Sequence, residues 1–421
     1  MSRLSLDPIR GFRRAVYVVA FGQFVNLLGS GLVYPFATIH FYLVVGIPLS
    51  LVGIGLLANN VLTAVGTAIG GYLADRYGRK PVMVTSMGLS SVTLAAYAAV
   101  EPIAAAIEPL TPASTFIGVA AAAGLTMGLY PPASQAMIAD LTDGTERERG
   151  YALLKVANNA GFGLGFVVGG VLYGMVELAV FVGNGLTSGV VAILLLVALP
   201  RAHAGRTSVT FRDSIGDWGV AITRRRVLAL ALINVGFALP YAQMQATVPV
   251  VASDTLGLTS EQIGTLYTLN PLVIVLFQLP IVAAIVDWRR TRGLMLSAAL
   301  WAASMGAVWL VFGVSAWVGV GLIGAFLVIR TLAEILHGPL ITSLASDLGE
   351  VDERGSQLSL LEIAKRLGFG LGSAIGGFFF DYGLEWYLWP TLIGVCVLVT
   401  LGLLALERRV TPAENGIVPA D

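Results

Sequence analysis

ADLTDGTERERGYALLKVANNAGFGLGFVVGG at residues 139–170 and SDLGEVDERGSQLSLLEIAKRLGFGLGSAIGG at residues 346–377 align at an offset of 207 without a gap. Fourteen of the 32 aligned positions are identical, among them Asp140/Asp347, Glu146/Glu353, Arg147/Arg354 and the GFGLG cores. The same offset pairs Pro132 with Pro339 just upstream. Each copy starts polar and runs into a glycine-studded apolar stretch. Equivalent segments in equal orientation imply two halves related by an axis along the membrane normal.

The rest of the chain agrees that a membrane is involved. Of 421 residues, 56% are hydrophobic and 12% charged, with a mean hydropathy of +0.83. Soluble chains carry about 25% charged residues, so this one cannot clothe a water-facing surface of its length. One bilayer crossing takes about 20 apolar residues. On that basis spans are expected at 15–44, 50–74, 81–100, 114–140, 150–174, 178–199, 227–252, 261–286, 293–313, 316–345, 357–380 and 386–406. The expected fold is an all-α membrane protein of twelve transmembrane helices in two pseudo-symmetric six-helix bundles. Residues 1–200 would form the first bundle, 201–226 a cytoplasmic linker, and 227–421 the second bundle with a short cytoplasmic tail.

Charge orients the spans. With both termini in the cytoplasm, 24 of the 25 basic residues lie on or near the cytoplasmic side. The outer loops then hold only acids: Glu101, Glu108, Glu177, Asp254, Glu261, Asp381 and Glu385. Lysine and arginine favour cytoplasmic loops, so a multi-pass protein of the cell membrane is expected. The exception is Arg330, in the stretch IRTLAEILHGP at 329–339, four residues before Glu334 and seven before His337.

Several chemistries are disfavoured. There is no Walker loop, which argues against ATP hydrolysis. Three histidines and one cysteine, all scattered, argue against a metal centre. The single Cys396 excludes an intramolecular disulfide. Basic residues along one membrane face do not imply nucleic acid. Neither an enzyme nor a cofactor is expected.

Residues 70–81 read GGYLADRYGRKP at the inner end of the second span. This pattern resembles the signature loop of the major facilitator superfamily, and the span count and internal repeat extend the resemblance to the whole chain. The resemblance implies a conformational latch. Asp75 would engage the N-terminal end of span eleven, Arg79 would pair with Asp140 at the end of span four, and Gly71 would permit close helix contact. The second-half loop, DWRRTRG from Asp287, keeps only a remnant. LGSGLVYPFAT at 28–38 and the glycines Gly161, Gly165, Gly169 and Gly170 resemble the twelve-span drug:proton antiporter branch. Thr38 and Phe166 stand where that branch has prolines, and Ala120 where its span-four arginine should be. Small residues every four positions also serve ordinary helix packing.

Polar stripes mark a possible cavity. Gln23, Asn26, Ser30, Tyr34 and Thr38 recur at helical spacing in span one, as do Asn234, Tyr241 and Gln245 in span seven. Gln23, Ser30, Tyr34 and Asn59 pair with Asn234, Tyr241, Gln245 and Asn270 at an offset of 211. Tyr130 and Tyr267 are aromatic candidates for the same lining, with core packing as the alternative. These stripes carry no charge, which suits amphipathic or weakly polar solutes.

The expected function is secondary transport by alternating access: proton-coupled export of small amphipathic compounds by a monomer in the lipid bilayer. Glu334 is the candidate proton carrier, with Arg330 as its competitor and His337 as a relay. A permanent Arg330–Glu334 pair is the other reading of that site. A carrier for another solute (lipid, sugar or amino acid) and a non-transporting sensor or scaffold are the alternative functions.

Overall fold

The computed structural model describes residues 11–200, 224–348 and 354–417. Most of the expected linker, residues 201–223, lies outside them, as does Glu353. The described residues form twelve long helices: α1 Arg14–Val44, α2 Leu49–Tyr77, α3 Arg79–Ala106, α4 Pro112–Leu141, α5 Glu146–Met175, α6 Ala179–Ala198, α7 Arg225–Thr255, α8 Ser260–Ala284, α9 Arg290–Val311, α10 Ala316–Asp347, α11 Arg354–Asp381 and α12 Glu385–Glu407. Eleven are long and apolar enough to cross a membrane. The other, α11, has the length, but Lys365, Arg366 and its glycines dilute its apolar character. Large apolar side chains such as Val197, Leu279 and Trp317 point outward. Around a helical bundle that outer surface is satisfied by lipid.

Proline sets the helix irregularities, because it lacks an N–H and crowds the preceding turn. α1 is interrupted at Tyr34–Pro35 and ends in a π turn, His40–Val44. α7 does the same at the equivalent place, breaking at Thr247 before Pro249 and ending in the π turn Val251–Thr255.

The glycine runs of the repeat explain how the helices approach. One face of α5, formed by Gly161, Gly165 and Gly169, lies against the backbone of α1 at Phe24, Leu28 and Leu32. The matching face of α11, Gly368, Gly372 and Gly376, lies against α7 at Val235, Leu239 and Gln243. A methyl group added to Gly169 would sit 2.6 Å from the Leu32 carbonyl oxygen, and one on Gly372 2.7 Å from that of Leu239. The other faces of the same two helices join the first six helices to the last six. Gly163 and Gly170 of α5 meet α8 at Pro271 and Ser260, while Gly370 and Gly377 of α11 meet α2 at Leu57 and Leu49. Small residues let backbones close in this way where lipid offers no hydrophobic drive.

These contacts seal the end of the bundle remote from the termini. Thr38 Oγ1 donates to the Gln245 carbonyl at 2.8 Å. The backbone N–H groups of Leu49 and Ser50, at the start of α2, donate to the Asp381 carboxylate at 2.7 and 2.8 Å. An anion on free N–H groups at a helix start is favourable. Toward the opposite end the helices diverge. A cavity of about 300 Å³ separates Gly71 and Asp75 of α2 from Glu362 and Arg366 of α11, and a larger one opens beside α10.

After α12 the chain folds back as a clasp. The Glu414 carboxylate accepts from Arg226 Nη1 at 3.0 Å and from the Thr411 backbone N–H at 2.8 Å. Asn415 exchanges hydrogen bonds with Thr291, and Arg290 donates to the Glu414 carbonyl. Burial works against charge on Glu414, but the bonds from Thr411 and Arg226 outweigh it and hold the carboxyl below its usual range.

Candidate functional site

The site grows from α10. Arg330 and Glu334 lie four residues apart, so both project from one face of the helix. Arg330 Nη2 donates to Glu334 Oε2 at 2.9 Å. The Tyr241 hydroxyl of α7 donates to Glu334 Oε1 at 2.9 Å, and Asn270 Nδ2 of α8 approaches Oε2 at 3.5 Å while bonding Thr331 at 2.9 Å. The carboxylate thus gathers groups from three helices.

Arg330 and Glu334 differ in access. The Arg330 side chain is 1% exposed and the Glu334 side chain 28%. In place of water, the guanidinium lies against the rings of Tyr241, 4.8 Å from the centroid, and Trp301, 5.4 Å away. Aromatic faces attract desolvated cations by about 2 kcal/mol. Its remaining hydrogen bond runs from Nη1 to the Met244 sulfur, a weak acceptor, and Nε has no hydrogen-bond partner. The cation is fixed in place with donor capacity to spare.

Glu334 opens onto a cavity of about 600 Å³, reached from the unsealed end. His337 lines it too, its ring 4.5 Å from that of Phe237 and its Nε2 unpartnered. Lys155 of α5, Lys365 of α11, Gln278 of α8 and the Asn158–Asn159 pair complete its polar wall. The Lys365 ammonium stands 5.7 Å from the Tyr241 ring.

The structure brings together some of the residues expected from sequence and disperses others. Arg330, Glu334, His337, Tyr241 and Asn270 form one cluster. Asn234 donates to the Leu361 carbonyl at 2.9 Å and lines a smaller recess beside His337 and Lys365. Tyr34 packs on the rings of Phe162 and Phe166, on the sealed side of the cluster. Gln245 takes part in the seal through its carbonyl. Ser30 bonds back to the Asn26 carbonyl along α1, and neither residue, nor Gln23, lines the cavity. Asn59 donates to the Ala120 carbonyl and so ties α2 to α4. Tyr267 is fully buried and donates to the Met244 carbonyl, and Tyr130 is buried in the packing of the first six helices. These last three tie helices together or fill the core.

At the rim of the unsealed end Arg79 lies 2.6 Å from Asp75 and 3.3 Å from Asp140. Asp75 is therefore turned toward its own helix end, with a cavity between it and α11. The second half has a counterpart that its loop sequence hid: Arg290 pairs with Asp347 at 2.5 Å, at the positions equivalent to Arg79 and Asp140.

Sequence reasoning missed Lys155 and Lys365 as cavity residues, counting them as charges near the cytoplasmic face. The available signal was that, among the three lysines of the chain, these two fall inside expected spans. It also missed Asp381, whose position at the end of α11 gave no hint of a partner 332 residues away.

A family model described as Major Facilitator Superfamily matches residues 19–350 and 241–419. The MFS-type transporter YttB of Bacillus subtilis (strain 168) is 23% identical over 414 residues, covering 96% of this chain and 97% of that protein. The multidrug resistance protein MdtH of Photorhabdus laumondii is 28% identical over 407 residues, covering 93% and 94%. Among solved structures, a point mutant of the nucleoside transporter NupG superposes with a TM-score of 0.77 at 14% identity, covering 93% of this chain and 99% of that one.

Proposed function

The chain belongs to the major facilitator superfamily, a family of multi-pass membrane transporters, and on that premise we propose that it is a proton-coupled exporter of small amphipathic compounds. The positive-inside pattern puts both termini in the cytoplasm of a cell-membrane protein, so the open cavity faces inward and the sealed end outward. Two six-helix bundles, 1–200 and 227–421, joined through 201–226, then alternate access by rocking about the cavity. The name of the MdtH relative agrees with an efflux role.

The observation that carries the coupling is the ligation of Glu334. Its carboxylate accepts from Arg330 and Tyr241, has Asn270 beside it, and still reaches the cavity. Three donors on one carboxylate are the contacts a carrier would need once it has released its proton inward. A proton taken up from outside cancels the charge, weakens the Arg330 contact and loosens α7 and α8 from α10. The residue exchanges a proton for an arginine as the bundles rock, and His337 stands three residues on as a relay.

Reconstitution tests this directly. Glu334→Gln is expected to abolish pH-gradient-driven flux while leaving substrate binding in place. Undiminished gradient-driven flux in that variant would overturn the assignment.

A further inference from the structure

The walls of the inward cavity are unevenly charged. Lys155 approaches from α5 and Lys365 from α11, and Arg330 lies behind Glu334. Among the described residues no carboxylate comes within ion-pair distance of either lysine. Glu362, which shares a neighbouring recess with Lys365, is paired with Arg366 at 3.1 Å. Three cations thus face one carboxylate, and the two lysines of the cavity wall have no acidic partner of their own. Basic residues that face a cavity within a membrane protein mark the path of charged solutes. In addition, Arg330 is almost wholly buried and keeps Nε free of any hydrogen bond, with Nη1 spent on a sulfur. The site is built with more cations than anions.

The geometry points to an amphipathic anion as the substrate: a solute whose carboxylate or similar head is held between Lys155 and Lys365, with its apolar body against Tyr241 and Ile274. The lysines enter from the two sets of six helices, so one bound anion touches both, and its departure leaves them facing each other as like charges. This corrects the expectation of an uncharged lining: the stripes on α1 and α7 are neutral, but the charge arrives from α5 and α11. The inference rests on the exporter reading for direction only. An inside-negative potential drives an anion outward and a proton inward, so both movements would run with the field.

Fluorescent probes of matched length separate the possibilities. Dansyl-amino-undecanoate carries a carboxylate, and dansyl-amino-undecyl-trimethylammonium a fixed cation. The anionic probe is expected to bind the purified full chain, and Lys155→Gln with Lys365→Gln to weaken it about tenfold or more, the weight of a charge-assisted contact. Lys365→Arg should restore much of that loss, and the cationic probe should bind no worse to the double variant. Thermal unfolding of the variants confirms that they are folded. Preference for the cation, equal binding of both probes, or indifference to the lysine variants would overturn the anion site. In that case, proton-driven flux of the cationic probe would leave the exporter reading standing. Anion binding through the lysines without any response of flux to a pH gradient would keep the site and overturn proton coupling. Displacement of the anionic probe by phosphatidylglycerol vesicles would overturn a free solute in favour of a lipid head group.

Discussion

The first and last six helices are built alike and charged differently. Glycine for glycine, α5 lies on α1 as α11 lies on α7. Both leading helices end in a π turn at equivalent positions, and Arg79–Asp140 is matched by Arg290–Asp347. Yet where α10 carries Arg330, Glu334 and His337, the equivalent positions of α4 hold Ala123, Met127 and Tyr130. Folding does not explain the difference, because the first six helices pack without the charges. Buried ion pairs also contribute little net stability compared with apolar residues of similar volume. The duplicated part of the molecule is scaffold, and the part that is not duplicated is where the proposed chemistry lies.

Making α10 read as α4 is the sharpest way to test this. Arg330→Ala alone takes away the ion-pair partner of Glu334 and should cost about 1–3 kcal/mol. Adding Glu334→Met, which leaves His337 as the one of the three positions still unlike the first half, should recover most of that stability while transport stays lost. Unfolding in detergent followed by intrinsic fluorescence reads the first quantity and liposome flux the second. A double variant no more stable than the single one would mean that the charges serve the fold after all.

The scaffold half of the comparison predicts equality. Gly165→Ala and Gly372→Ala each drive a methyl group into a facing backbone carbonyl and should destabilise by about 1–3 kcal/mol, with the two values close to one another. A large gap between them would show that the two glycine faces are not interchangeable.

A smaller effect is expected where the halves differ at the seal. Asp381 caps the start of α2, whereas its counterpart on α5 is Gly174, lying beside Ser260 and Glu261. The start of α8 is closed by its own Thr259–Gln262 capping box instead. Asp381→Ala should weaken the seal by about 1 kcal/mol. Spin labels on the outer ends of α2 and α11 would then report a longer distance in a larger fraction of molecules. An unchanged distance distribution would remove Asp381 from the seal.

The smallest effect concerns the tail clasp that follows α12. Because the folded-state carboxyl of Glu414 titrates below its usual value, the clasp's contribution is complete above that value and is lost as pH falls through the depressed one. Glu414→Gln should remove this acid sensitivity. Hydrogen exchange at the Thr291 amide, which donates to Asn415, reads it directly.

The sequence made the architecture legible because periodic apolar runs, charge asymmetry and a gapless repeat are local signals. The α10 charges were legible for the opposite reason: Arg330 stands out as the basic residue that breaks the orientation rule. What stayed hidden was which face a residue turns. Lys155 and Lys365 sit near a membrane edge where a basic residue needs no explanation, so their turn into a cavity could not be told from anchoring. Asn59 and Tyr267 fit a lining pattern yet bond to backbone carbonyls within the bundle. The Asp381 cap depends on a contact between distant parts of the chain, which no local pattern encodes.

The seal at the end remote from the termini is made largely of backbone resting on backbone, through the second glycine faces of α5 and α11. Such a surface has few knobs that must leave holes. In mechanical terms, if the helices rock as proposed above, these two would be bearings: a smooth track with few side chains to climb past one another. The friction that remains is concentrated in a few identifiable brakes, the Asp381 cap and the Thr38–Gln245 bond. Turnover speed is therefore adjustable at those brakes without touching the cavity that chooses the cargo.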